Sequence, residues 1–563
     1  MKKNLFKKRK LLQIGLAFGV IATPLVVTSC TVGKVGANLS ETLYRGINAI
    51  TTNDIHGRFD TESSSKAGLK YIAAYADAHN PDLLLDVGDL IQGTAMSNLD
   101  KGETIIEIAN LMKYDAMAVG NHEFDFGLEN IINLDKSSDM PFLAANVRYK
   151  KSGERLFESS VVKTIRGDLK VGIIGIATPE TETTTHPNNV KDLKFTDIVK
   201  ETKMEIEELR KQNINFITVL SHTGQELATQ IATELGDDVD LIIDGHSHVN
   251  YQTQVGNTYI MQSGSYGDTI RHTTFDFNKE TGLIENFESK SVESDELLQY
   301  KDKVDVNIEN KIAKLRNNLN QEFSKIVVEN LPYKLNGERD DVRRRETNLG
   351  NLAADAYYSE ANKILAGETP GTKVDFAILN SGGIRKSINE GKVTEENLYD
   401  VFPFGNFLAV ADVPGKNIIE AFKRSVTTDG LAGYMLQVSE QIQIKKEENG
   451  TFTFKIKGEN GTFEDIQESK TYKIATLDFL FAGGDGYSML NHTNPENKIT
   501  NYKSFSEERN YLRNYFIEVF GSNGTQGNKP LSDKTQGNTP LSDKYKDDTK
   551  QTRLLYTIKK VEA

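Results

Sequence analysis

Cysteine is nearly missing from these 563 residues: Cys30 stands alone, so no internal disulfide can form in any redox compartment. Positive charge is also short, with 67 Lys and Arg against 80 Asp and Glu, a formal net charge of −13. The deficit deepens past the N-terminus, because residues 1–29 carry six Lys or Arg and no acid. Without them 61 basic residues face 80 acidic ones, a net charge of −19. A surface that acidic excludes nucleic acid polymers held on a general basic face, while leaving room for small anions in a local basic pocket. Length excludes little, since it allows two or more domains, each with its own core.

The one cysteine is informative by its place. Lys2, Lys3, Lys7, Lys8, Arg9 and Lys10 precede an apolar run over 11–27, interrupted by Pro24, and Val27-Thr28-Ser29-Cys30 closes it. A basic start, an apolar middle and small residues before a cut make a secretory signal. Ending on cysteine, it resembles a bacterial lipoprotein signal, which implies cleavage after residue 29 and lipidation of Cys30. The competing reading is an uncleaved anchor helix, since the run is nearly long enough to span a bilayer. Either way the remainder is expected on the outer, extracellular face of the cytoplasmic membrane; the lipoprotein reading makes it lipid-anchored, with 30–45 as a polar tether.

Short apolar runs at 44–51, 83–87, 116–119, 142–147, 171–177, 216–220, 241–243 and 258–261 read as buried strands. Helical spacing at 69–76 and 104–112 separates some of them, so 46–292 is expected to be a layered α/β domain. Over 293–325 the pattern changes: Ile308, Ile312, Leu315 and Leu319 recur at helical spacing among charges, which predicts a linking helix. A second α/β domain is expected from 326 to the C-terminus. Within it, residues 525–534 recur almost unchanged at 535–544, and this polar Gly/Pro-containing pair predicts a surface insertion at about 522–549. Residues 553–558 could then return as a final strand.

Chemistry gathers just past the strand ends. Asn53-Asp54-Ile55-His56-Gly57, Gly88-Asp89, Gly120-Asn121-His122-Glu123-Phe124-Asp125, Ser221-His222-Thr223-Gly224 and Gly245-His246-Ser247-His248 hold five of the nine histidines. Imidazole, carboxylate and carboxamide together suit a pair of divalent metals doing hydrolysis. Asp54, His56, Asp89 and His248 supply four ligands to one ion; Asp89, Asn121, His222 and His246 supply four to the other, with Asp89 bridging. Any one block could be an ordinary turn or a core histidine; five on strand ends are hard to obtain by chance. His79, His186, His272 and His492 lack such company and are read as structural.

This order of blocks resembles the calcineurin-like metallophosphoesterases, and its wording resembles the 5′-nucleotidase family among them. One departure is His248, where some relatives have Gln. The resemblance implies an α-β-β-α four-layer sandwich joined by a helix to a C-terminal α/β substrate-binding domain. It implies two divalent ions, with Zn, Mn, Co, Fe or Mg left open, and a catalytic dyad of His122 and Asp125. Phosphate-binding arginines map to Arg339, Arg343 and Arg385, with Asn380 beside the last. The base-stacking aromatics map to Phe404 and Phe479, a base contact to Asn406, and the carboxylate for the ribose hydroxyls to Asp485. With base and metals on separate domains, the resemblance also implies turnover by domain rotation about the linking helix.

The expected reaction is therefore hydrolysis of extracellular nucleotides, nucleoside 5′-monophosphates above all. The alternatives are a 2′,3′-cyclic-nucleotide phosphodiesterase with 3′-nucleotidase activity and a nucleotide-sugar hydrolase. A non-enzyme reading, a nucleoside-binding lipoprotein, would explain the aromatics but not seven metal ligands. No protein partner is evident.

Overall fold

Strands that are apolar on both faces need cover on both faces, and the N-terminal half supplies it with four layers. The computed structural model describes residues 43–59, 67–427, 431–458, 460–521, 535–536 and 539–557. Cys30, the leader and most of the 525–544 repeat lie outside the described residues. One six-stranded sheet runs Leu283–Glu293, Thr269–Asn278, Leu43–Thr52, Leu83–Asp86, Ala116–Ala118, Phe142–Leu143. The other runs Asn250–Val255, Thr258–Ser263, Leu241–Asp244, Phe216–His222, Leu169–Ala177, Ser160–Ile165.

Alternation along each strand divides the core. Ile47, Ala49, Leu83, Leu85, Ala116 and Ala118 point inward and meet Val171, Ile173, Phe216, Leu220, Leu241 and Ile243 of the facing sheet. Their neighbours Ile50, Leu84 and Met117 point outward, under Ile72 of helix Leu69–His79 and Ile105, Ile106 and Ile108 of helix Glu103–Met112. Ile217, Val219 and Ile242 face the opposite way, under Ile206 and Leu209 of helix Ile198–Lys211 and Ile231 of helix Gln225–Leu235. Period-two side-chain direction thus builds three apolar layers from runs that look uniformly hydrophobic.

The inner strands are parallel, with Ala49 opposite Leu83, Leu85 opposite Ala116, Ile173 opposite Thr218 and Leu241 opposite Thr218 in register. Parallel pairing brings their carboxyl ends, and so all five polar blocks, to one end of the sandwich. The antiparallel strands Ser160–Ile165, Asn250–Val255, Thr269–Asn278 and Leu283–Glu293 were not among the expected ones. Three of them alternate buried or half-buried residues with more exposed ones, as in Leu283–Glu293, and such strands lack the apolar run that marks a buried strand.

The joining segment comprises Ser294–Leu297, a 3-10 stretch Leu298–Lys303 and helix Val306–Phe323. Ile308, Ile312, Leu315 and Leu319 pack with Ile72 and Ile105 on the N-terminal domain, so this helix is part of that domain's outer layer. The C-terminal domain has a five-stranded sheet, Leu436–Val438, Phe376–Asn380, Thr471–Leu477, Phe407–Pro414, Thr500–Glu507, covered by helices Asn348–Glu368 and Glu508–Phe520.

A four-stranded sheet completes it, and its last strand, Leu554–Leu555, pairs with Ile442–Lys446. That strand returns beyond the repeat and is fastened by a buried ion pair. Arg553 donates from Nη1 and Nη2 to the two carboxylate oxygens of Asp355 at 2.9 and 2.8 Å, and Lys544 adds a contact at 2.9 Å. Burial works against the Asp355 carboxylate, but Arg553 and Lys544 outweigh it and hold its pKa far below the ordinary 3.8.

A carboxyl whose folded pKa is depressed contributes stability above its unfolded value and loses it as the pH falls. Asp355→Asn, which strands a buried guanidinium, should therefore cost about 3 kcal/mol at pH 7 in urea unfolding. The gap from the wild type should narrow as the pH is taken below about 4. A gap constant over pH 3–7 would show that the charge of Asp355 contributes nothing.

Candidate active site

Five of the seven expected metal ligands hold a left-handed backbone without being glycine: Asp54, His56, Asp89, His246 and His248, with φ between 51° and 77°. Each costs about 1 kcal/mol relative to ordinary geometry, and such strain collects where side-chain direction matters more than backbone comfort. Glycine makes the room. A Cβ on Gly120 would strike the Asp89 carboxylate, and one on Gly88 would meet the backbone of Gly120.

The seven side chains fall into two adjoining clusters that share Asp89. Ligating atoms of Asp54, His56, Asp89 and His248 lie within 4.8 Å of one another, as do those of Asp89, His222 and His246. Asn121 joins the second, its Oδ1 lying 2.9 Å from His246 Nδ1. These are the two ligand sets expected from sequence.

Their protons show what the clusters suit. His56 Nδ1 lies 3.0 Å from the Gln92 carbonyl and His222 Nδ1 2.6 Å from the Val87 carbonyl. A carbonyl only accepts, so each Nδ1 carries the hydrogen and each neutral ring turns a lone pair on Nε2 inward. His56 Nε2 then faces His248 Nε2 at 3.1 Å, and His222 Nε2 faces Asp89 Oδ2 at 3.2 Å without a hydrogen bond. Acceptors opposed at such distances call for cations or extra protons. Without a cation burial still disfavours the protonated His222 ring, but Asp89 outweighs it and lifts the pKa to about 10, so the extra proton is taken up there. A donor set of carboxylate, imidazole and carboxamide fits divalent transition ions or Mg.

Two residues outside the expected set organise this one. Glu123, fully buried, accepts from Asp89 N at 2.8 Å, Leu90 N at 2.7 Å and Gly120 N at 2.8 Å, tying the second block to the third. It stands inside the Gly-Asn-His-Glu-Phe-Asp motif, and its burial was the missing signal. Glu180 Oε2 lies 3.0 Å from His246 Nε2 and turns Nδ1 toward Asn121. Nothing in the sequence around Glu180 marks it.

His122 Nδ1 meets Asp125 Oδ2 at 2.6 Å, and Asp125 Oδ1 accepts from Thr185 Oγ1 at 2.7 Å. Burial disfavours the imidazolium, but Asp125 and Asp89 overcome it and raise the ring's pKa. The free Nε2 is thus fitted to donate a proton or to stabilise negative charge.

A cavity of about 680 Å³ opens over these groups and is lined by the second domain as well. Arg339, Arg343, Asn380, Arg385, Phe404, Asn406, Phe479 and Asp485 all line it, together with Asn121, His122, Asp125, His246 and His248. Arg339 and Arg343 are half-buried beside Arg385, and desolvation and the repulsion among these guanidinium groups lower the pKa of both. Arg339 Nε and Nη1 and Arg343 Nε have no hydrogen-bond partner, so this is a cradle built for an anion. Their sequence neighbours serve the fold instead: Arg344 donates to the Asp340 carbonyl, and Arg345 pairs with Asp341 and Asp548.

Phe404 stacks on His122 with ring centres 5.5 Å apart, and Arg385 lies over its ring at 5.4 Å. Asp485, at φ 52°, accepts from Asn380 Nδ2 at 2.7 Å, while Arg424 Nε holds its carbonyl at 2.7 Å. His186, read from sequence as structural, lines the cavity and sets Nε2 3.5 Å from Asp478 Oδ2 of the other domain. His79 and His272 pack around Tyr75, and His492 stacks on Tyr502, as structural histidines do.

An α-β-β-α sandwich with paired Asp/His clusters at its strand ends, facing an arginine-lined cavity, defines a metallophosphoesterase. Residues 48–250 match the family Calcineurin-like phosphoesterase and residues 326–492 the family 5′-nucleotidase, C-terminal domain. Bovine 5′-nucleotidase is 32% identical over 488 residues, covering 78% of this chain and 83% of that protein. Protein UshA of Escherichia coli is 28% identical over 86% of this chain and 93% of its own. The crystal structure of a 5′-nucleotidase precursor from Thermus thermophilus is 26% identical, with a TM-score of 0.73 over 84% of this chain and 97% of that one. The chain belongs to the 5′-nucleotidase family, and it is an enzyme of metal-dependent nucleotide phosphoester hydrolysis.

Divalent ions held by these clusters supply Lewis-acid polarisation of a phosphoryl oxygen and a lowered pKa for water. Elemental analysis of protein loaded with Mn and desalted should return about two ions per chain. Asp89→Ala should lose both and His248→Ala about one. His122→Ala should keep the metal content and lower kcat by about 10²–10⁴-fold; an unchanged kcat would remove His122 from the chemistry.

Proposed function

We propose that the chain removes phosphate from nucleoside 5′-monophosphates outside the cytoplasmic membrane, to which a lipidated Cys30 tethers it. The observation that carries the substrate class is one cavity shared by the two domains. Its N-terminal wall carries the two clusters and His122; its C-terminal wall carries three arginines, two phenylalanines and a carboxylate. A phosphate among Arg339, Arg343 and Arg385 would lie against the clusters. A ribose would present its diol to Asp485, and any base could stack on Phe404 and Phe479. Asn121 and the other metal ligands would hold the ions, and His122 with Asp125 would form the catalytic dyad. His122 Nε2 would give its proton to the departing ribose oxygen, Asp125 holding the ring for that transfer.

A second reading draws on a specific relative. The trifunctional nucleotide phosphoesterase YfkN of Bacillus subtilis is 28% identical over 82% of this chain, though the match covers 34% of that protein. A relative with more than one nucleotide phosphoesterase function leaves room for the alternative read from sequence, hydrolysis of 2′,3′-cyclic nucleotides and 3′-nucleotides by the same side chains. The tether rests on sequence alone: a basic start, an apolar run and one cysteine at the expected cut. Two or three acyl chains would hold the protein stably where one would not.

Phosphate release from AMP and from 2′,3′-cyclic AMP should separate the two readings, using the chain from residue 31 stripped by chelator and resupplied with Mn, Zn, Co or Mg. AMP should be the faster substrate, with activity restored by metal and lost in Asn121→Ala. Faster cyclic turnover followed by 3′-AMP cleavage would install the second reading instead. For the tether, full-length protein should partition into detergent after phase separation and Cys30→Ala should not; equal partitioning would count against lipidation.

A further inference from the structure

Asn406 lines the cavity together with the two expected stacking residues: it follows Phe404 by two positions, and the next residue, Phe407, donates its N–H at 2.9 Å to Asp478, the neighbour of Phe479. Its carboxamide could present either a donor or an acceptor to a base. The orientation is decided behind it. The Asn406 side-chain Nδ2 donates to Glu508 Oε1 at 3.3 Å, and the Glu508 N–H donates to the backbone carbonyl of Asn406 at 2.8 Å, so only the side-chain Oδ1 is left for the cavity. The other carboxylate oxygen, Glu508 Oε2, accepts from the hydroxyl of buried Tyr357.

A carboxylate can only accept, so it takes the amide nitrogen of Asn406 and leaves Oδ1 facing the cavity. Glu508 opens the helix Glu508–Phe520, where the helix dipole favours its anion. Burial works the other way and lifts its pKa to about 7, so the carboxylate prevails at pH 8.

We propose that Glu508, held by Tyr357, is a positioning residue that fixes the Asn406 carbonyl toward the base, so that the chamber prefers nucleotides whose base presents an amino donor over those presenting an oxo acceptor. The inference rests on the nucleotidase reading and deepens it. AMP and IMP are the discriminating pair, since one carries an amino group at the 6-position and the other an oxo group. A mispaired acceptor buried against Oδ1 costs about a factor of ten in affinity.

At pH 8 the wild type should therefore show kcat/KM about tenfold higher for AMP than for IMP, carried by KM. Glu508→Gln replaces a pure acceptor with a group that can also donate, so the amide is no longer fixed and the ratio should fall toward one. Turnover of ribose 5-phosphate, which has no base, reads the rest of the site in the same variant. If no nucleotide is hydrolysed, the nucleotidase reading fails. If both are hydrolysed with equal wild-type KM, or Glu508→Gln keeps the full ratio, this inference alone is overturned. Should Glu508→Gln prove misfolded, Asn406→Ala decides: loss of the preference is expected, and a preserved preference overturns the assignment.

Discussion

The Asp89 carboxylate stands where two sets of lone pairs converge, and the rest of the site is arranged around keeping it there. It is buried, its Oδ1 accepts the His122 N–H at 2.8 Å, and its Oδ2 faces His222 and His56 at 3.2 and 3.8 Å. Desolvation should neutralise such a group, yet the surrounding imidazoles hold its pKa well below 3.8. That balance depends on rings whose orientations are fixed by the Gln92 and Val87 carbonyls. Left-handed backbone and glycines without Cβ atoms serve the same end, bringing charged groups closer than an unstrained chain would.

Much of this was legible in the sequence because the chemistry sits on short blocks after apolar runs. Buried parallel strands announce themselves as such runs, and their carboxyl ends are where ligands go. Less legible was whatever depends on contacts across the chain. Glu123 shows only an acidic residue in a motif until three N–H groups from two loops are found pointing at it. Glu180 and His186 come to the site on the segment after strand Leu169–Ala177, whose polar composition resembles any surface loop. Glu508 is more than one hundred residues from Asn406 and Tyr357, and no local pattern could join them. The same reason separates Arg339 and Arg343, which enter the cavity, from Arg344 and Arg345, which do not; one turn of backbone decides it.

Three arginines repel one another in a protein whose net charge is −13. Their repulsion is a structural cost that an anion relieves, and it gives a dianionic phosphate a local target that the acidic surface lacks.

Dividing the chamber between two domains has an energetic consequence for release. The polar contacts closing it are modest: Asn98 Nδ2 to the Pro403 carbonyl at 2.9 Å, Arg339 to the Ser247 carbonyl at 3.5 Å, and His186 to Asp478 at 3.5 Å. Each is worth about 1 kcal/mol or less. The helix Val306–Phe323 stays with the N-terminal core through Ile308, Ile312, Leu315 and Leu319, and Phe323 at its end stacks edgewise on Tyr399 of the second domain. Separating the halves would therefore sacrifice few strong interactions, while a bound nucleotide, gripped by arginines on one side and the metal face on the other, adds contacts that exist only when both are present. Hydrolysis would cut that bridge, because the phosphate and the nucleoside would then be held separately, and only the weak direct contacts would oppose a separation of the halves.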